Sequence, residues 1–312
     1  MEVAQAIGVR VTLLHQPGAG DDEGPNGQQL EALVRAAGHS VRYQSCSEEQ
    51  WPAALDEPAD VIAVAGGDGT VGRVAKKLIG RDIPVAPLPM GTANNIAKTL
   101  DLDTLALEDI ISAWRNPRLV TFDAGIAKGP WGSRYFVEGA GMGAFASTMP
   151  AADRSPTLKS LDTAAAKVAY ARKMLHDRLE SCAPHRLELR LDGDVLPGDY
   201  VLLEAMNMEF IGPNLYLAPE TNPSDGRLDV VLVTVADRET LRESMARCEE
   251  DELEYPMLTR RAVSTLELEW DDFQLHFDDE VWPDKEDEKE RAHSRIQFTA
   301  ERGALKFLTV HA

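Results

Sequence analysis

The run Val61-Ile62-Ala63-Val64-Ala65 is apolar at every position and breaks directly into Gly66-Gly67-Asp68-Gly69-Thr70. A strand with no polar face has to be covered on both sides, which is the condition of a parallel sheet flanked by helices. The next segment supplies such a helix: Val71, Val74, Ala75, Leu78 and Ile79 recur at helical spacing, and Gly80 closes it. The same strand–turn–helix unit recurs on either side. Ile7, Val9, Val11 and Leu13 alternate ahead of Gln16-Pro17-Gly18-Ala19-Gly20, and Leu30, Leu33, Val34 and Ala37 then make a helical face ended by Gly38. Residues 41–44 offer a short second strand. Residues 83–88 lead through Pro89-Met90-Gly91-Thr92-Ala93-Asn94-Asn95 into a helix carrying Ile96, Ala97 and Leu100. Repeated units of this kind predict a doubly wound α/β domain that ends at about residue 120.

Beyond that point the pattern changes. Short β-like runs at 134–138, 186–191, 200–205, 228–235, 264–270, 273–277, 296–299 and 304–310 are interrupted by a single helical stretch, 158–179. Many short strands separated by turns predict an antiparallel β-sandwich or a barrel-like second domain. The stretch 284–291 alternates in charge and reads as a solvated loop. A chain of 312 residues with 44% apolar content has room for two such cores.

Charge narrows the function. With 32 basic against 52 acidic residues the net charge is −20, so a phosphate backbone is repelled and a general nucleic-acid binder is disfavoured. Docking on anionic lipid through a basic patch is disfavoured too, which leaves transient membrane contact through apolar loops. A small anion is not excluded, because a metal ion and backbone N–H groups can hold it locally. Cys46, Cys182 and Cys248 lie far apart and form no metal-ligand spacing or disulfide framework. The first residues carry no basic leader, and no apolar run reaches a membrane span of ~18 residues. A soluble cytoplasmic protein, peripheral to the membrane when it acts, is expected.

Gly66–Thr70 carries the chemistry. Glycines let backbone approach a ligand closely, and a turn opening onto a helix N-terminus presents unpaired N–H groups suited to phosphate. Asp68 would repel phosphate unless it orients a Mg²⁺ shell or caps a helix. Gly91–Asn95 lies between a strand and a helix one βα unit further on, so the two turns belong to one crevice at the carboxyl ends of neighbouring strands. Gly18 and Gly20 could supply a third wall.

Together with Pro89–Ala97, the segments Tyr135-Phe136 to Gly141-Met142-Gly143 and Ala218-Pro219 to Asp225-Gly226-Arg227-Leu228-Asp229-Val230 make the chain resemble the diacylglycerol kinase catalytic-domain family, which includes bacterial lipid kinases and sphingosine kinases. The Gly66–Thr70 turn is shared more widely, with NAD kinases and, in variant form, phosphofructokinases. The resemblance implies a nucleotide-binding α/β domain over 1–121, rejoined by the last strand at 304–312, and an antiparallel β-sandwich lipid-substrate domain over 122–303. It implies ATP and Mg²⁺ as cofactors. Asp68, with Gly66, Gly67, Gly69 and Thr70, would form the nucleotide and metal turn, Thr92 and Asn94 the same crevice, and Gln16 and Gly20 a further ATP-contacting turn. Asp278-Asp279-Glu280 falls where many members have Asp-Gly-Glu, so Asp278 would be the general base and Glu280 its support. Asp225, Asn222 and the carbonyl of Arg227 match a structural Mg²⁺ region. The chain departs from the family at Gly72 and Arg73, which replace a common Asn-Glu, at Asp279 for Gly, at Asn95 for a frequent Asp, and at Ala144-Phe145-Ala146, which lacks an acid near the lipid head group.

The expected function is transfer of the γ-phosphate of ATP to a lipid hydroxyl, most simply of diacylglycerol or a related glycerolipid. Phosphoryl transfer needs the phosphate held in line, its charge neutralised, and a carboxylate to accept a proton. An NAD kinase-like enzyme shares the glycine turn but not the later segments, and Arg73, Asp279 and Phe145 also fit a catalytically weak nucleotide- or lipid-binding regulator. From local sequence alone Asp278 reads as a solvated loop acid and His276 as a surface or paired strand histidine. The helix at 158–179 and the residues Met206, Met208, Phe210, Ile211, Leu215 and Tyr216 read as core or as the wall of an acyl-chain cleft. Monomer and homodimer are both left open.

Overall fold

The computed structural model describes residues 8–20, 24–247, 255–283 and 294–310. The chain divides into two compact units, one running to Phe122 and resuming at Ala304, the other Asp123–Gly303. Ile7, Cys248 and the charged stretch 284–291 lie outside the described residues.

The first unit is built from β1 (Arg10–His15), α1 (Gly27–Ala36), β2 (Ser40–Ser45), β3 (Val61–Gly66), α2 (Asp68–Leu78), β4 (Val85–Pro89), α3 (Asn95–Thr99) and α4 (Leu107–Ala113). Its strands run parallel in the order β2-β1-β3-β4, and the returning chain places Phe307 beside Val85, also in parallel. Val61–Gly66 is buried throughout, as an apolar run between two helical layers requires. β1 departs from the alternation read in its sequence: Val11–His15 are buried in succession, because β1 lies between β2 and β3 and has no solvent face. Asn26 caps α1 and Gln29 reaches back to the Asn26 N–H, a reciprocal capping box. A 3-10 turn at Trp51–Asp56, unforeseen in the sequence, buries Trp51 and Leu55.

In the second unit β5 (Arg118–Gly129), β6 (Gly132–Phe136) and β7 (Gly139–Gly143) come first, then α5 (Ala144–Arg154), α6 (Pro156–Lys159) and α7 (Ala164–Ser181). There follow β8 (His185–Leu191), β9 (Asp194–Met206), β10 (Phe210–Ile211), β11 (Leu215–Tyr216), β12 (Leu228–Thr234), α8 (Arg238–Arg247), β13 (Thr259–Val263), β14 (Thr265–Trp270), β15 (Leu275–Phe277), β16 (Glu280–Trp282) and β17 (Ser294–Thr309). β5 and β17 carry the chain into and out of this unit. Pairing within it is antiparallel along β16-β15-β7-β9-β8-β14-β17, with β12 on β9 and β13 on β12. The single helix expected here is replaced by α5 to α8, and the runs at 296–299 and 304–310 are one strand, β17.

Period-2 alternation sorts the side chains of this sheet into two cores. On β12, Leu228, Val230 and Leu232 enter one core, while Val231 and Val233 enter the other with Phe145 of α5 and Leu175 and Leu179 of α7. Leu175 and Leu179 are the buried residues of α7, whereas Ala165 and Ala169 are exposed and Val168 half-buried, so its first turns are not core. Met206, Met208, Phe210, Ile211 and Leu215 are buried, and Tyr216 stacks on Phe210. Cys46 and Cys182 are free thiols. Among the described residues no helix is long and apolar enough to cross a membrane.

Candidate active site

Three loops meet at the carboxyl ends of β1, β3 and β4 in the first unit. The approach is between backbones: a Cβ on Gly91 would lie 2.2 Å from the Cα of Gly67, and one on Gly20 would lie 2.3 Å from the carbonyl oxygen of Met90. Gly20 also has φ +74°, a conformation that side chains rarely adopt. Met90 N–H donates to Gly66 O at 3.1 Å, and Gln16 N–H to Ala65 O at 2.9 Å, so each loop is tied to β3. The structure therefore brings together Gln16, Gly20, Gly66, Gly67, Gly69 and Thr70 with the Gly91–Asn95 turn. Thr70 is buried at the start of α2 and donates its N–H to Gly67 O. Thr92 is half-buried in the second turn.

Two polar side chains fix these loops. Asp68 Oδ1 accepts the Ile96 N–H at 2.8 Å, so the carboxylate at the start of α2 caps α3. Burial pushes the Asp68 carboxyl up, and N–H donors from Ile96 and Asn95 pull it back. Asn94 has φ 55°; its Oδ1 accepts the Gly91 N–H at 2.8 Å and its Nδ2 donates to Gly91 O at 3.0 Å. Asn94 thus shapes the turn with the groups expected to line it. Arg73, in place of the usual Glu, lies over the Trp51 ring at 5.8 Å.

In the second unit Asp278 is 8% exposed, and the solvated-loop reading of this residue is corrected by its partners. Its Oδ1 accepts N–H groups of Val137 at 2.9 Å and Glu138 at 2.8 Å, and its own N–H donates to Gly139 O at 2.9 Å. The left-handed backbone of the β15–β16 turn falls on Asp278 (φ 53°), so Asp279 can stand where Gly is usual. Glu280 is exposed and lies 3.8 Å from Arg134.

His276 is fully buried. Its Nε2 is 2.7 Å from Glu204 Oε2 and its Nδ1 3.1 Å from Asp278 O. Burial depresses the imidazole, but the Glu204 charge and hydrogen bond together with Asp278 outweigh it and hold it above its ordinary value. Burial likewise raises the Glu204 carboxyl against the pull of His276.

The residues expected to hold Mg²⁺ lie in one turn. Asn222 Oδ1 accepts the Ser224 N–H at 3.0 Å and Asp225 Oδ1 the Arg227 N–H at 2.9 Å. An oxygen that accepts one hydrogen bond keeps a second lone pair, and hard oxygen donors with one carboxylate suit Mg²⁺, which keeps several waters. The donor set fits. Among the described residues no group of three or more His, Cys, Asp or Glu side chains is arranged as a metal cluster.

Three residues went unnoticed in the sequence. Asp123 is fully buried and accepts N–H groups of Gly226 at 2.6 Å and Gly303 at 2.7 Å. Asn207, also fully buried, donates to the carbonyls of Asp123 at 2.9 Å and Val137 at 3.1 Å. Glu204 is the third. Each is a polar residue inside an apolar run, which is the signal that could have found them.

The diacylglycerol kinase catalytic domain model matches residues 10–127, and the model of the YegS C-terminal NAD kinase beta sandwich-like domain matches residues 143–290. The chain belongs to the diacylglycerol kinase catalytic-domain family. A diacylglycerol kinase of Bacillus subtilis is 30% identical over 184 residues, 57% of this chain and 56% of that one. A diacylglycerol kinase of Mycobacterium tuberculosis is 28% identical over 69% of this chain and 66% of its own length. The matched stretch thus spans less than two thirds of either relative. A YegS-like lipid kinase of Stenotrophomonas maltophilia is 28% identical over 71% of this chain and 72% of its own. The fold is that of a Bacillus anthracis diacylglycerol kinase crystal structure, with TM-score 0.64 at 17% identity over 96% of each chain.

Proposed function

We propose that the chain transfers the γ-phosphate of ATP to the hydroxyl of a lipid, diacylglycerol or a related glycerolipid. The observation that carries the reading is the convergence of Gly20, Gly67 and Gly91, whose missing side chains let three backbone loops close on one place. Loops of this kind grip a polyphosphate through N–H donors, with the N-terminus of α2 adding partial positive charge. Family membership supplies the class of reaction. The first unit is read as the nucleotide-binding domain and the second as the lipid-substrate domain.

The roles follow from residue chemistry. Gly66, Gly67, Gly69, Thr70, Gly20 and Gln16 approach the phosphates, while Asp68 and Asn94 keep the loops in register. Asp278 takes the proton of the lipid hydroxyl as its oxygen bonds to phosphorus and the β–γ bridging P–O bond breaks, leaving ADP. Its hydrogen bonds to Val137 and Glu138 fix the carboxylate, and Glu280 supports the turn. Asp225, Asn222 and the Arg227 carbonyl would hold a structural Mg²⁺. Mg²⁺ bound with ATP neutralises phosphate charge. Contact with the lipid surface is transient and made through apolar side chains such as the 80%-exposed Met257.

The test is a phosphate-transfer assay with Mg²⁺ and ATP, offering detergent-dispersed diacylglycerol, sphingosine and NAD in parallel. Phosphorylated diacylglycerol is expected. Transfer to NAD alone would make the chain an NAD kinase, and ATP binding without transfer would make it a regulator.

A further inference from the structure

Glu204 and His276 come from strands that are not neighbours, and the register shows how they meet. Gly141 of β7 pairs with Glu204 of β9 on one side and with His276 of β15 on the other. The two backbones are therefore two strand spacings apart, about 9.6 Å. The side chains close that gap above Gly141, where a Cβ would stand 2.3 Å from Glu204 Oε2. On the same face the Phe145 ring meets His276 edge-on, with centroids 4.7 Å apart. Leu203, Ala205, Leu275 and Phe277, which flank the pair along their strands, enter the opposite core.

Hydrogen-bond bookkeeping fixes the proton count. The His276 ring faces two acceptors, the Glu204 carboxylate at Nε2 and the Asp278 carbonyl at Nδ1. Either the ring donates at both nitrogens, or Glu204 carries the proton and donates it to Nε2. In both forms one proton lies between Glu204 and His276, and Nδ1–H holds the carbonyl. Apolar side chains of similar volume would usually serve stability as well or better than a buried ionic pair. What this pair holds is the backbone of Asp278, a left-handed residue whose carboxylate is turned onto Val137 and Glu138.

We propose that Glu204 and His276 are positioning residues that share a proton across Gly141 and clamp the Asp278 carbonyl, so that the Asp278 carboxylate stays aimed for proton acceptance. This rests on the phosphotransfer reading given above. The shared proton stays within the pair. Asp278 takes the hydroxyl proton and later releases it to water.

The experiment compares the whole chain with Glu204→Gln and with the apolar double variant Glu204→Leu/His276→Phe, reading kcat, KM for ATP, the pH–rate profile and Tm. The double variant is expected to keep or raise Tm while kcat falls about tenfold or more, the equivalent of about 1.4 kcal/mol in the barrier. Glu204→Gln preserves shape and hydrogen-bonding capacity, and is expected to fold, to leave KM for ATP unchanged and to move the acid limb of the pH–rate profile. Imidazole nitrogen NMR of the wild type should show a His276 ring whose protonation holds from about pH 5 to pH 8, whereas the ring of Glu204→Gln should change protonation within that range. Variants that match an active wild type in kcat and pH profile would overturn the positioning role and leave the kinase reading intact. A wild type that phosphorylates no lipid would overturn the kinase reading first.

Discussion

The Asp68 carboxylate and the Ile96 N–H meet at 2.8 Å, which joins the first residue of α2 to the second residue of α3. The bond closes one glycine turn onto the other, so Asp68 serves the loop that its own charge would otherwise make a poor phosphate neighbour. Asp68→Ala removes the acceptor and should cost about 1 kcal/mol, as for a lost helix cap. Asp68→Asn keeps an acceptor oxygen and should cost less. Both should weaken binding of Mg²⁺–ATP under the proposed role. Urea denaturation reads the first effect and calorimetric ATP titration the second; an unchanged metal requirement in the alanine variant would remove Asp68 from the nucleotide turn.

Asp278 separates chemistry from structure. Its carboxylate accepts two backbone N–H groups in a site 8% exposed, so Asp278→Ala leaves buried donors unpaired and should cost about 1–3 kcal/mol. Asp278→Asn keeps an acceptor oxygen and tolerates φ 53°. It should fold close to normally, bind ATP unchanged, and lose at least about 100-fold in turnover, the usual worth of a general base. Circular dichroism melting together with the lipid-phosphorylation assay checks the pair of variants. Equal activity in the asparagine variant would dismiss Asp278 as the base.

Much of the first unit was legible because its signals are local. The buried run Val61–Gly66, the glycine turns and the helical spacing of α2 are each complete within a few residues. The second unit was less so. α5 contains Pro150 and an alanine-rich stretch of weak amphipathic contrast, and β7 consists largely of glycine, so neither carries a clear period. The Glu204–His276 contact depends on a register 72 residues apart and on the missing side chain of Gly141, whose place the Glu204 carboxylate takes, and no window of sequence contains that pairing. Asp278 looked like a solvated acid because the stretch after it is charged. Its burial comes from the Val137-Glu138 bend, 141 and 140 residues earlier.

The buried pair also sets a pH dependence. His276 is held above its unfolded value of 6.5, so its contribution to stability is complete below that pH and fades as pH rises through the folded value. Glu204 is raised as well, but the proton is common to both and counts once. His15, His39 and His185 are lowered by burial and act in the opposite sense, losing stability as pH falls below their ordinary value. Cys46 and Cys182 are raised by burial and share the sign of the pair, but from an ordinary value of 9.0, so the range just above pH 7 isolates the pair. From about pH 7 to pH 8 stability should fall with rising pH, by at most about 1.4 kcal/mol per pH unit. Urea midpoints measured across that range should show the slope in the wild type and a flatter line in Glu204→Leu/His276→Phe.

Asp123 should prove a sensitive position of the second unit. Its carboxylate, fully buried, accepts the Gly226 N–H at 2.6 Å and the Gly303 N–H at 2.7 Å, while its carbonyl takes the Asn207 amide and its own N–H donates to Pro223 O. One residue thereby fastens the Asp225-Gly226 turn, the Gly303 bend and Asn207, which in turn holds the Val137 peptide beside Asp278. Asp123→Ala removes the acceptor of the Gly226 and Gly303 N–H groups, on residues that are half-buried and exposed, so a loss of about 1–3 kcal/mol is expected. Asp123→Asn keeps one acceptor oxygen but turns an N–H₂ group toward one of the donors, and should lose about half as much. Hydrogen exchange checks the origin of the loss: the amides of Gly226, Gly303 and Val137 should lose protection together in Asp123→Ala, and protection retained at Val137 would show that Asp123 does not reach the Asp278 site.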